Sequence, residues 1–170
     1  QLYSIYLIFT VAEIILLMFG GMNLFDASIH TFGSVGTGGF SNYSDSIAHF
    51  DSLYIEIVIM LFMFLCGASF NLYFAGLRRG VKVFWQNPEF KLYALITLSV
   101  SVLIAITLIV SGSSESIGSA VSDSFFQVIS ILTTTGFATA NYDLWPQFAK
   151  ALLLLLFFIL LVLASMLSLM

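Results

Sequence analysis

Two short clusters of threonine and glycine, each ending in phenylalanine, have the composition to do chemistry without a catalytic side chain. They read Gly36-Thr37-Gly38-Gly39-Phe40 and Thr133-Thr134-Thr135-Gly136-Phe137. Glycine tolerates positive φ, so successive carbonyls in such a stretch can point the same way. A ring of carbonyl oxygens can replace the hydration shell of a bare alkali cation, and threonine hydroxyls add further oxygens. No buried carboxylate is needed, and a fixed charge would hold a monovalent ion too tightly to release. Other chemistries find little support. The one cysteine, Cys66, excludes a disulfide framework and any multi-cysteine metal site. An intramembrane protease would need a Ser/His pair or two aspartates within spans, and the loops lack paired Asn-Pro-Ala signatures. The expectation is that the protein is not an enzyme and carries no cofactor.

Something must hold these clusters at membrane depth. Each follows an apolar run of about ten residues, the length of a re-entrant half-helix: Phe25 to Phe32 and Asp123 to Leu132. Asp26 and Asp123 open these runs and are expected to cap the half-helices at their positive ends. His30 reads as a packing histidine and His49 as exposed. Irregular backbone at such a depth is tolerated only inside protein or along a water-filled cavity.

The composition agrees with a membrane solvent. Of 170 residues, 60% are hydrophobic and only 8% charged, against about a quarter charged in soluble domains. The net charge of −4, with five basic residues, provides no phosphate-binding face, so no nucleic-acid partner is expected. Four stretches are long and apolar enough to span a bilayer: 2–22, 53–77, 92–110 and 149–170. Residues 78–91 hold Arg78, Arg79, Lys82 and Lys91 and are broken by Asn87-Pro88. By the positive-inside rule this segment and both termini face the cytoplasm of a plasma (inner) membrane, with 23–52 and 111–148 outside. No basic region precedes Leu2, so no signal peptide is expected, and both ends lie within apolar runs, as in a piece of a longer chain.

The clusters belong to a repeat. Sliding the chain by 97 residues puts Asp26 on Asp123, Thr37 on Thr134, Gly39 on Gly136 and Phe40 on Phe137. Asn42-Tyr43 and Asn141-Tyr142 follow, with two extra residues in the second copy. The unit of span, half-helix, loop and span occurs twice, and an even number of spans makes the copies parallel. This divides the chain into a first repeat (1–80), a linker (81–91) and a second repeat (92–170).

Residues 25–41, 63–71 (Met-Phe-Leu-Cys-Gly-Ala-Ser-Phe-Asn) and 126–140 resemble the Trk/Ktr/HKT superfamily of cation transporters over nearly all of residues 1–150. The resemblance implies an all-α membrane protein with a K+-channel-like fold, in which four helix–pore-loop–helix repeats surround one pore. This chain would supply two, matching the second and third. It places the ion-binding selectivity filter on Thr37, Gly38, Gly39, Phe40, Thr134, Thr135, Gly136 and Phe137, with K+ at the filter carbonyls. Glycine at Gly39 and Gly136 goes with potassium, where serine at one such position goes with sodium preference. A cytoplasmic nucleotide-binding regulatory subunit is implied as a partner. One departure stands out: the superfamily interrupts the last helix with a Gly/Ser-rich gating stretch, whereas residues 151–170 are plainly leucine-rich.

Two loops cannot encircle an ion, so closing the pore would require a homodimer or further repeats. The rival reading is a non-conducting structural fragment or engineered half-transporter that keeps the fold without transport. Among the remaining charges, Glu13 inside the first span either lines an ion path or pairs with a neighbouring helix. Asp45, Asp51, Glu115 and Asp143 either bias an outer vestibule toward cations or form a solvated face. Lys150 is expected to snorkel, and Cys66 to pack among small residues.

Overall fold

The computed structural model describes residues 2–114 and 116–168, and every regular element among them is helical. Besides two short 3-10 helices at Ser46–Phe50 and Tyr142–Leu144, these are in order α1 (Leu2–Phe19), α2 (Leu24–Val35), α3 (Leu53–Gly67), α4 (Phe70–Arg79), α5 (Lys82–Gln86), α6 (Pro88–Ser111), α7 (Ile117–Leu132) and α8 (Gln147–Ser168). Long helix, half-helix, loop and long helix thus occur twice, as the internal repeat requires.

The long helices are apolar around most of their circumference, which suits hydrocarbon on one side and protein on the other. The outward face of α6 leaves Leu95 62% and Ile106 52% exposed, while Ile104 and Leu108 are fully covered. Among the described residues α6 qualifies by length and composition as a complete span, and Tyr3–Phe19, Ile117–Leu132 and Gln147–Leu160 are shorter apolar stretches of helix. Asn87 starts α6 by accepting from the Phe90 N–H at 3.0 Å, and Pro88 supplies its preset φ at the first position. The leucine-rich tail runs as one uninterrupted helix to Ser168.

The expectation of one straight span over 53–77 is corrected. The helix breaks at Ala68, whose backbone is extended, and α4 leaves at 86° to α3. A break inside a membrane frees carbonyls that water cannot satisfy. Two tyrosines supply the donors. Tyr73 Oη donates to Leu65 O at 2.6 Å, and Tyr93 Oη to Phe64 O at 3.0 Å.

Two apolar clusters hold the helices together. One joins Leu17, Ile55, Ile59, Phe62 and Met63 of the first half to Phe126, Ile129 and Phe137 of the second. The other lies between α6, α7 and α8 around Ile104, Leu108, Val128, Trp145, Ala149 and Leu153. Both half-helices therefore have their C-terminal ends in the middle of the packing, where the two loops begin.

Candidate functional site

The half-helices exceed the sequence expectation, and the second does so by more. α7 starts at Ser116, which forms a capping box with Ser119, so Asp123 lies in its second turn and does not cap it. Serine at N-cap suffices there because it offers the same acceptor oxygen as aspartate. In α2 the N-cap is Asn23, whose side chain accepts from the Asp26 N–H at 2.8 Å. Asp26 stands in the first turn and accepts from Asn23 Nδ2 at 2.8 Å.

Both aspartates do something the sequence reading missed: they tie a half-helix to the chain emerging from its loop. Asn42 Nδ2 donates to Asp26 Oδ1 at 2.8 Å, and Tyr43 Oη to Asp26 Oδ2 at 2.9 Å. Thr139 Oγ1 donates to Asp123 Oδ1 at 3.2 Å. The spacing of Asp26 to Asn42 and of Asp123 to Thr139 is the same 16 residues. The two extra residues push Asn141-Tyr142 past this position, and Asn141 instead accepts from the Asp143 N–H.

The anchors differ electrostatically. Burial favours the neutral form of Asp26, but the bonds from Asn42, Tyr43 and Asn23 outweigh it and hold this carboxyl below its ordinary value. For Asp123 burial dominates, offset only in part by Thr139, and its value is raised. His30 is fully covered, and burial holds its imidazole below the usual range. Its Nδ1 donates to Asp26 O at 2.8 Å, the role open to it opposite a carbonyl, and Nε2 accepts from Ser41 Oγ at 3.0 Å.

The loops repeat each other bond for bond. Gly36 and Thr37 donate from their N–H groups to Phe32 O and Ser34 O, and Gly38 and Gly39 both donate to Gly33 O at 2.8 and 3.1 Å. Ninety-seven residues later, Thr133 and Thr134 donate to Ile129 O and Ile131 O, and Thr135 and Gly136 both donate to Ser130 O at 2.9 and 3.3 Å. Thr37 (φ 48°) and Thr134 (φ 58°) are left-handed at matching positions, as are Gly39 (61°) and Gly136 (89°). Every N–H from Gly36 to Gly39, and from Thr133 to Gly136, is thereby turned back onto its half-helix. Among the described residues, nothing donates to the carbonyls of Thr37, Gly38, Gly39, Thr134, Thr135 or Gly136.

The loops also touch. The Thr135 carbonyl lies against the Cα of Gly39, where no side chain would fit. Phe137 is fully buried, with its ring against Gly33 and 5.8 Å from that of His30. Its neighbour Ala138 accepts from Ile47 N and Ala48 N and donates to Ser46 Oγ. Phe40, the counterpart of Phe137, is 73% exposed. Gln127, the counterpart of His30, is buried with Oε1 lacking a partner, and it lines an open cavity of about 440 Å³ with Ile131, Gly136, Tyr142 and Leu153. One loop is seated in its neighbour, while the other aromatic and the other seat stand open.

Among charges outside the loops, Glu13 is fully covered against α2, Lys150 Nζ donates to Asp143 O, and Arg78 lies over the Phe74 ring. Cys66 is a buried free thiol, and Glu115 lies outside the described residues.

The family described as "TrkH: Cation transport protein" matches residues 2–166. The chain belongs to the TrkH family. Similar TrkH-family proteins include the Trk system potassium uptake protein TrkH of Salmonella typhimurium, 37% identical over 90% of this chain and 32% of that protein. The potassium uptake protein TrkG of Escherichia coli K12 is 33% identical over 91% of the chain and 32% of its own length. The crystal structure of the potassium transporter TrkH from Vibrio parahaemolyticus superposes with a TM-score of 0.87 at 33% identity, covering 91% of this chain and 34% of the other. The chain thus spans about a third of the length of these TrkH-family relatives. Its all-α fold is theirs, and the family is one of transporters, not enzymes.

Proposed function

We propose that this chain forms part of a potassium permeation path, with Thr37, Gly38, Gly39 and Phe40 in one filter segment and Thr134, Thr135, Gly136 and Phe137 in the other. The observation that carries this reading is the division of backbone groups in the loops. The N–H groups are used up on the half-helices and the carbonyls are left over. Dehydrating K+ takes a set of acceptors without competing donors. K+ is the transported substrate; no covalent step occurs, and discrimination against Na+ follows from the positions the backbone gives these oxygens. The C-terminal ends of α2 and α7 add partial negative charge toward the same loops.

Two loops cannot surround an ion. The exposed Phe40 and the open seat at Gln127 support a ring continued on both sides by further loops, from a second chain or from further repeats. In this arrangement 1–80 and 92–170 are the repeats, and the basic linker 81–91 lies on the cytoplasmic side of the inner membrane with both termini, by the positive-inside rule. A regulatory subunit would meet that same face. Detergent-corrected light scattering followed by K+ flux in proteoliposomes tests the proposal. A dimer that passes K+ in preference to Na+ supports it. A well-folded dimer with no cation selectivity would leave the chain a structural module only.

A further inference from the structure

Glu13 is the one acid buried in the middle of a long helix, fully covered in α1, and its only hydrogen-bond partner among the described residues is Ser34 in the last turn of α2. Glu13 Oε1 lies 2.5 Å from Ser34 Oγ, and Oε2 has no partner. Ser34 Oγ also lies 3.1 Å from Thr31 O. A hydroxyl has one hydrogen and a carbonyl has none, so Ser34 alone can serve both contacts only by sharing that hydrogen. With an ionised Glu13 the single Ser34 hydrogen must be divided between two acceptors; with a neutral Glu13 each contact has its own proton, the acid donating to Ser34 Oγ while Ser34 donates to Thr31 O. The neutral acid also leaves Oε2 as an uncharged carbonyl oxygen, whereas a bare carboxylate there would be far more costly. Cys66 of α3 and Tyr73 of α4 bring no positive charge to Glu13 and the Tyr73 hydroxyl is committed to Leu65 O, while Glu56 stands in the first turn of α3 and Arg78, in the last turn of α4, lies over the Phe74 ring.

The geometry points to Glu13 as a positioning residue for the first filter segment, acting as a neutral proton donor that pins the end of α2 to α1 through Ser34. Ser34 O also accepts the Thr37 N–H at 3.2 Å, so the pinned residue sets the left-handed Thr37 that begins the segment. Among the described residues the second repeat shows no such strut. Ile131 stands 97 residues after Ser34, and Ile104 and Leu108 of α6 pack in one cluster with Ala120 and Val128 of α7. The two half-helices are therefore tied to the preceding long helix unequally: α2 by a bond that needs a proton, and α7, among the described residues, with no side-chain hydrogen bond to α6.

This rests on the filter reading above, and the test separates the two. The intact chain in lipid nanodiscs should show the infrared carbonyl stretch of a protonated carboxylic acid at neutral pH, lost in Glu13→Gln and kept in Asp123→Asn. Glu13→Gln, whose amide still donates to Ser34, should melt with the parent. Glu13→Leu, which fills the space without donating, should melt lower and lose K+-specific stabilisation, with K+ affinity about tenfold weaker, the order expected for one buried hydrogen bond. If Glu13→Gln is as impaired as Glu13→Leu, a charge is needed and the inference is wrong. It is equally wrong if Glu13→Leu matches the parent or the infrared band is missing. Should K+ fail to stabilise even the parent chain, the filter reading falls, while the band and the melting order still decide the role of Glu13.

Discussion

Phe137 and Gly33 share a position that two side chains could not: a Cβ on Gly33 would stand 2.6 Å from the tip of the Phe137 ring. One residue comes from the second loop and the other from the half-helix before the first, so the seam between repeats depends on a missing side chain. In the second repeat the counterpart of Gly33 is Ser130, which uses its side chain to donate to Phe137 O at 2.7 Å.

Gly33→Ala should therefore overpack the seam. The expected cost is about 1–3 kcal/mol, read as a lower melting temperature in detergent. No loss would mean that the ring moves freely, contrary to its complete burial.

The two filter glycines should not respond alike. Serine at either position meets a left-handed backbone, which costs a residue with a Cβ roughly 1–2 kcal/mol. At Gly136 the space beyond is open, whereas at Gly39 the new Cβ would run into the Thr135 carbonyl. Both variants should weaken discrimination of K+ from Na+ in flux measurements, Gly39→Ser the more. Unchanged relative permeability in both would remove the filter assignment.

Phe137→Ala empties a fully buried site and should destabilise the chain by about 3–5 kcal/mol. Phe40→Ala should barely change melting of the isolated chain, because that ring is 73% exposed. Its effect should appear in the mass of the assembled particle instead. Equal melting losses for the two variants would contradict the contrast in their seating.

Acid should act on the two anchors in opposite directions. The raised Asp123 carboxyl takes up its proton more readily when folded, so its contribution grows as pH falls through that raised value. The depressed Asp26 carboxyl gives stability that is present above its ordinary value and is lost as pH falls through the depressed one. Melting temperature should first rise on acidification and then drop. Asp123→Asn should flatten the rise, and Asp26→Asn should abolish part of the drop.

Much of this was legible in the residues because the repeat preserves register. Asp26, Thr37, Gly39 and Phe40 recur 97 positions later, and the hydrogen bonds of the loops recur with them. Contacts made across helices left no such trace. Residues 63–71 contain no proline and only Ser69 and Asn71 as polar residues, so the corner at Ala68 shows only when Tyr73 and Tyr93 are seen to satisfy the carbonyls it frees. The start of α7 was missed because three serines, 116, 119 and 122, look like loop, yet two of them form its cap. Glu13 announced itself by its cost in a span, but its partner, 21 residues away, could not be read from spacing.

The corner after Gly67 also has an electrical meaning. A helix of 15 residues rises about 22 Å, against a hydrocarbon thickness of roughly 30 Å, and α4, turned through 86°, adds almost nothing along the same axis. A transmembrane voltage drops across the insulating layer alone, at about 2.3 kcal/mol per elementary charge for each 100 mV. Where that layer is thin the gradient is steep. On the proposed path, an ion crossing beside this helix would meet the voltage over a shorter distance than the full hydrocarbon thickness.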